Sequence, residues 1–188
     1  MRANGDVVLE GSWLYDGSVQ SRVVVHASDI AFGSGDCEDP TEVSDDRDEH
    51  CFYVGWFDPT DPTCLTSEVG PFKTLRDAIA HVEQSTGGSI RWKNMPDPSE
   101  KIGVALASLK RLPLNGLRHV PASGTCGWYI WGGGEPSQQP DFFEPVHVAH
   151  LAELCPDVLP YLPLAPGYRF LLANGHEDVW SDPTIKHA

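Results

Sequence analysis

Two dipeptides, Asp16-Gly17 and Asn174-Gly175, each separate two runs of β-branched and aromatic residues. They constrain the fold more than any other feature of the chain. Asp-Gly and Asn-Gly tolerate the positive φ angles that a tight hairpin requires, so each dipeptide predicts a pair of neighbouring antiparallel strands. The first hairpin is expected over 7–15 and 21–26, "VVLEGSWLY" and "SRVVVH"; the second lies in "GYRFLLANGHEDVW". A third strand, "CFYVGWF" at 51–57, is closed by Asp58-Pro59, and shorter strands are expected at 89–93 and 126–131.

Helical periodicity is confined to a few segments. Phe72, Leu75, Ile79 and Val82 fall on one face of a helix, with Pro71 in its first turn and Gly87-Gly88 as its stop. In "DPSE", Asp97 is placed as N-cap, Pro98 at the first helical position and Glu100 to close a capping box. The spacing of Ile102, Leu106 and Leu109 predicts that this second helix runs on to Lys110-Arg111, before Pro113. A short helix is expected over 146–154 and one further helical turn in "DVLPYL". The fold class that follows is α+β, a largely antiparallel sheet with two or three helices. The segment 114–125 reads as a linker. It divides an N-terminal α+β region, 1–118, from a C-terminal region, 119–188, unless the whole is one compact domain.

Charge is distributed unevenly. The net charge is −14; residues 1–72 carry −12, residues 73–118 carry +4 and residues 119–188 carry −6. Half of the total sits in the acidic loop 33–50, whose stretch 36–49 holds eight acids and one arginine. Such a chain repels nucleic acid and anionic membranes and attracts a basic protein. No run approaches the ~20 apolar residues of a membrane span. The opening "MRANGDVVLEG" has no apolar signal region, so a cytoplasmic location is expected. The five cysteines include no Cys-x-x-Cys pair and fit reduced thiols.

The chemistry these residues can support is limited. Gly132-Gly133-Gly134 follows an aromatic strand but lacks both the dinucleotide and the P-loop spacing, so no nucleotide cofactor is expected. His147 and His150, three apart on the expected helix, can converge on one side of it, with Glu144 or Glu153 as a carboxylate nearby. A metal centre needs a third and fourth ligand in good geometry, and no spacing supplies them, so no metal is expected. Cys126 with a distant histidine is the remaining candidate nucleophile, without a motif around it. A metal-dependent or thiol enzyme using His147, His150 or Cys126 is therefore the alternative reading.

The leading reading comes from "GWYIWGGGE", "DFFEPVHVAHL", "CPDVLPYLPLAPGYRFLL" and "EDVW", in that order, over residues 127–180. Together they resemble the domain of bacterial immunity proteins from polymorphic toxin systems. The resemblance implies a binding protein rather than an enzyme, one that neutralises a cognate toxin by direct binding. An acidic chain suits a basic toxin, and needs no cofactor for the purpose. Partner-binding residues are expected in two places: Asp45, Asp46, Asp48 and Glu49 in the acidic loop, and Trp131, Glu135 and Asp141 around the glycines. Strand alternation puts Trp128 and Ile130 on one face, Tyr129 and Trp131 on the other. Whether that second face lies under the helix at 146–154 or meets solvent is open at this level.

Overall fold

The computed structural model describes residues 5–33 and 45–185. The chain forms two compact units, Met1–Lys93 and Asn94–Ala188. This division falls before the segment 114–125, which is no linker: most of it belongs to a central strand and its turn.

The first unit is an antiparallel meander. Strands β1 (Val7–Tyr15), β2 (Val19–Ala31), β3 (Arg47–Phe57) and β4 (Leu65–Phe72) follow one another, and β5 (Arg91–Trp92) returns to pair with β1, giving the order β4-β3-β2-β1-β5. The first hairpin is where its turn chemistry puts it. Asp16 adopts φ 49° and the Ser18 amide donates to the Tyr15 carbonyl at 3.1 Å. Helix α1 (Leu75–Ser85) packs on β3 and β4, burying Leu75, Ala78, Ile79 and Val82. It starts later than the periodicity predicts. Thr74 is the N-cap, its side chain accepting from the Asp77 amide at 3.1 Å, while Pro71 and Phe72 belong to β4, where Phe72 lies opposite Phe52.

The second unit has a six-stranded sheet built from β6 (Lys101–Val104), β7 (Leu114–Arg118), β8 (Thr125–Gly132), β9 (Glu144–His147), β10 (Tyr168–Ala173) and β11 (His176–Ser181). The order is β11-β10-β7-β8-β6-β9, antiparallel except for β6 beside β8. Its core lies on one face, where Trp128 and Ile130 of β8 and Phe170 of β10 are buried with Tyr161, Leu162 and Leu164. The Trp128 and Tyr161 rings lie 5.4 and 4.8 Å from that of Phe170. The second hairpin is a two-residue turn at Asn174-Gly175, with Ala173 opposite His176.

Two expected helices are corrected. The segment from Asp97 does close its capping hydrogen bonds: the Asp97 amide donates to Glu100 Oε2 at 2.9 Å and the Ser99 amide to Asp97 Oδ1 at 2.8 Å. The chain then runs extended as β6, and only Leu106–Ser108 forms a 3-10 turn. Ile102 and Val104 are buried and Lys101 exposed, a period of two that wins because β6 has β8 and β9 on either side. The helix at 146–154 is also shorter. The chain stays in β9 through His147, passes a 3-10 turn (Val148–His150), and is α-helical only in α2 (Leu151–Leu154). "DVLPYL" is 3-10, within Pro156–Tyr161. Among the described residues no helix is long and apolar enough to cross a membrane.

Candidate interface

Strand β8 presents opposite surfaces, as alternation demands. Trp128 and Ile130 point into the core; Tyr129, 37% exposed, and Trp131, 6% exposed, point away from it. Cross-strand register places Gly103 of β6 and Leu117 of β7 beside Tyr129, and Asn115 beside Trp131. The Tyr129 ring lies over Gly103, where an added Cβ would come within 2.7 Å of the ring.

The glycines let the chain leave the sheet. A Cβ on Gly132 would sit 2.1 Å from the Ser108 carbonyl oxygen, and Gly133 adopts φ 94°. The turn is tied down from both sides: the Gly132 amide donates to Ser108 Oγ at 3.0 Å, the Gly133 amide to the Pro113 carbonyl at 2.9 Å, and Asn115 Nδ2 to the Gly133 carbonyl at 2.8 Å. Trp131 Nε1 donates to the Gly134 carbonyl at 2.8 Å. Beyond this rigid base the loop swings out, exposing Glu135 and Asp141, and returns to lay Phe143 against the strand it left. The Phe143 ring is 5.0 Å from Tyr129 and 6.1 Å from Trp131, with Phe142 4.8 Å further along and His119 5.6 Å from Tyr129 on the other side.

The outcome is an aromatic face with an acidic rim. It continues across the sheet through Leu117, Arg169 and Trp180, which stand opposite one another on β7, β10 and β11. Trp180 is 39% exposed, and Arg169 is paired with Asp182 at 3.1 Å. A hollow of about 190 Å³ opens beside Tyr129, between Lys101, Gly127, Phe143 and Pro145. Trp131, expected as a contact residue, is buried and supports this face from beneath. Tyr129, Phe143, Leu117 and Trp180 are its exposed or half-buried members. Alternation in β8 signals Tyr129; the return of Phe143 has no local signal.

The other expected contact residues lie in the first unit. Residues 34–44 of the acidic loop lie outside the described residues. Asp45 and Asp46 lead into β3, and Asp48 and Glu49 are part of that strand rather than of a loop. Asp46 Oδ1 accepts from the Gly33 amide at 2.8 Å, Glu49 meets Arg47 at 3.4 Å, and Asp48 stands opposite Ile30.

The residues of the enzyme reading lie on β9, on the 3-10 turn after it and on β8. His147 donates through Nδ1 to the Ser99 carbonyl at 2.9 Å, and its ring is perpendicular to that of His150 at 5.9 Å. Among the described residues no three His, Cys, Asp or Glu side chains come together to hold a metal. Cys126 is buried, and burial pushes its thiol up from the usual range, the reverse of an activated nucleophile.

The model of the Imm33-like domain matches residues 88–182, half of the chain. The protein belongs to the Imm33-like family of immunity proteins. No curated protein and no solved structure matches it.

Proposed function

We propose that the chain is an immunity protein that neutralises a basic protein toxin by binding it through the aromatic face of β8 and the loop 132–141. The observation that carries this is the exposed ring cluster of Tyr129 and Phe143 on a rigid strand, with Glu135 and Asp141 free to approach a partner at its rim. Large amphipathic rings supply interface energy at little conformational cost, and rim carboxylates speed encounter with a cationic partner. The family supports the class of partner. A net charge of −14 supports its sign and argues against nucleic acid or an anionic membrane as the target. Action is stoichiometric rather than catalytic, in the cytoplasm of the cell that makes the toxin.

The test is reconstitution with the toxic domain encoded beside this gene. Co-purification as a complex, with toxin activity lost at molar equivalence, is the expected result. A toxic domain that stays fully active and separate at micromolar concentrations of both proteins would overturn the proposal.

A further inference from the structure

The chain holds three Asn-Gly dipeptides, at 4–5, 115–116 and 174–175, and Asn4 lies outside the described residues. The other two sit in opposite surroundings. Asn-Gly is the pair in which a side-chain amide is most open to attack from its own backbone, because glycine has no Cβ to keep its nitrogen away from the carboxamide before it. We infer that Asn174 is a site of spontaneous modification: its carboxamide closes onto the Gly175 nitrogen, and the succinimide so formed opens with water to isoaspartate and aspartate.

The reaction balances with water as its co-reactant. Hydroxide takes the Gly175 amide proton, the nitrogen attacks Asn174 Cγ, and the Cγ–Nδ2 bond breaks. Nδ2 takes a proton back from water and leaves as ammonia. Water then opens the five-membered imide. Cleavage at Cγ gives aspartate. Cleavage at the main-chain carbonyl of residue 174 gives isoaspartate, whose backbone runs through Cγ and is one methylene longer.

Three observations place the reaction at 174. The first is room: Asn174 and Gly175 are both exposed at the tip of the β10–β11 hairpin, and an added Cβ on Gly175, at φ 71°, would meet nothing within 4 Å. The second is that both reacting groups are free. Neither the Asn174 carboxamide nor the Gly175 amide makes a hydrogen bond to another described residue. At the other hairpin the Gly17 amide donates to the Leu14 carbonyl at 3.3 Å, and the carboxyl of Asp16 has no ammonia to lose.

The third is the contrast with Asn115-Gly116. Asn115 Nδ2 donates to the carbonyls of Pro113 at 3.0 Å and Gly133 at 2.8 Å. Gly116 lies in β7 between β8 and β10, opposite Ile130 and Phe170, and an added Cβ would sit 2.1 Å from the Phe170 ring. Closing a ring there requires the backbone to leave the extended conformation, and so to part from both neighbouring strands. At 174 no strand pairing is broken. The product puts one more negative charge beside Glu177 and Asp178. It also lengthens a turn whose register, Ala173 opposite His176, has room for two residues, so the hairpin end frays toward the pair Leu172 and Glu177.

The experiment is incubation of the whole folded protein in heavy-oxygen water at mildly alkaline pH, followed by peptide mass spectrometry with fragmentation that separates isoaspartate from aspartate. The peptide carrying Asn174 should gain one heavy oxygen and yield both isomers. It should do so about tenfold or more faster than the peptide carrying Asn115, where reaction waits on opening of the sheet. In denaturant the two rates should converge. Asn174→Gln, which would have to close a six-membered imide, should leave position 174 unchanged over the same time. An Asn174 that stays intact in the folded protein while the denatured chain converts overturns the inference. So does equal conversion of Asn115 and Asn174 in the folded protein, or a product that is aspartate alone, the mark of direct hydrolysis without a ring. None of these outcomes bears on toxin binding.

Discussion

Arg118 and Trp128 donate to the same acceptor, the Leu162 carbonyl oxygen, at 3.0 Å from the guanidinium and 3.1 Å from the indole. Arg118 also reaches the carbonyls of Leu164, Cys126 and Asn94, and its guanidinium carbon lies 5.8 Å from the Trp128 ring centroid. A cation 5% exposed is thus held by four backbone carbonyls, one of which it shares with the Trp128 indole. The arrangement pins the segment after Tyr161 onto β7 and β8, and so fixes the inner side of the strand whose outer side carries Tyr129.

Replacing Arg118 by methionine takes the guanidinium from the Leu164 and Cys126 carbonyls and should destabilise the protein by about 1–3 kcal/mol for each carbonyl left unpaired. Lysine keeps the charge but not the planar fork, and should recover only part of the loss. Denaturant unfolding measures both. A loss below about 1 kcal/mol for Arg118→Met would mean that water replaces the guanidinium at the carbonyls.

Both hairpins were legible because turn chemistry is local. Asp16 and Gly17 dictate a bend wherever they occur between strand-forming runs, and so do Asn174 and Gly175. The face of α1 was legible for the same reason; its start was not, because Phe72 suits a helix face as well as a strand opposite Phe52. The error at Asp97 is more instructive. The capping bonds form as the sequence implies, yet they close a turn rather than begin a helix, since the deciding partners, β8 and β9, are contributed by residues more than twenty positions away. At the candidate interface, Glu135 and Asp141 stood out by their place beside the glycines. The burial of Trp131 depends on the rest of the sheet and on Phe143 beside it, and the carbonyl cage of Arg118 leaves no trace in spacing or composition.

Cysteine reactivity separates the immunity protein from a thiol enzyme. Cys51, Cys126 and Cys155 are buried and burial pushes each thiol up, while Cys64 is exposed. Brief alkylation of the native protein, read by peptide mass spectrometry, should label Cys64 and spare these three. Preferential labelling of Cys126 at neutral pH would reveal a thiolate there and revive the enzyme reading.

A pH dependence should arise in the first unit. His26 is 3% exposed, stacked on Tyr53 at 5.7 Å, with Nε2 3.4 Å from Glu68. Desolvation lowers its pKa from 6.5, and outweighs the opposing pull of the Glu68 charge. The unfolded chain then binds the proton more readily, so the contribution of neutral His26 is complete above about 6.5 and is lost as pH falls from there through the lowered native value. Unfolding free energies between pH 7.5 and 5 should decline, and His26→Gln should flatten that slope. An unchanged slope in the variant would assign the decline to other groups.

The interface itself makes the sharpest claim. Tyr129→Ala removes an exposed ring from the centre of the aromatic face, and Glu135→Ala with Asp141→Ala removes two exposed rim charges. If the face binds the toxin, the tyrosine change should raise the dissociation rate and weaken binding by about 2 kcal/mol or more. The double change should chiefly slow association, most at low salt. Neither should lower the melting temperature by more than a few degrees, because none of the three side chains is buried. Trp131→Ala should do the opposite. It empties a buried site and removes the bond to the Gly134 carbonyl, so it should cost about 3–5 kcal/mol of stability whatever its effect on binding. Calorimetry on the free variants, beside their affinity for the toxin, separates the roles. Full affinity in both the Tyr129 variant and the double variant would move the binding surface off this face.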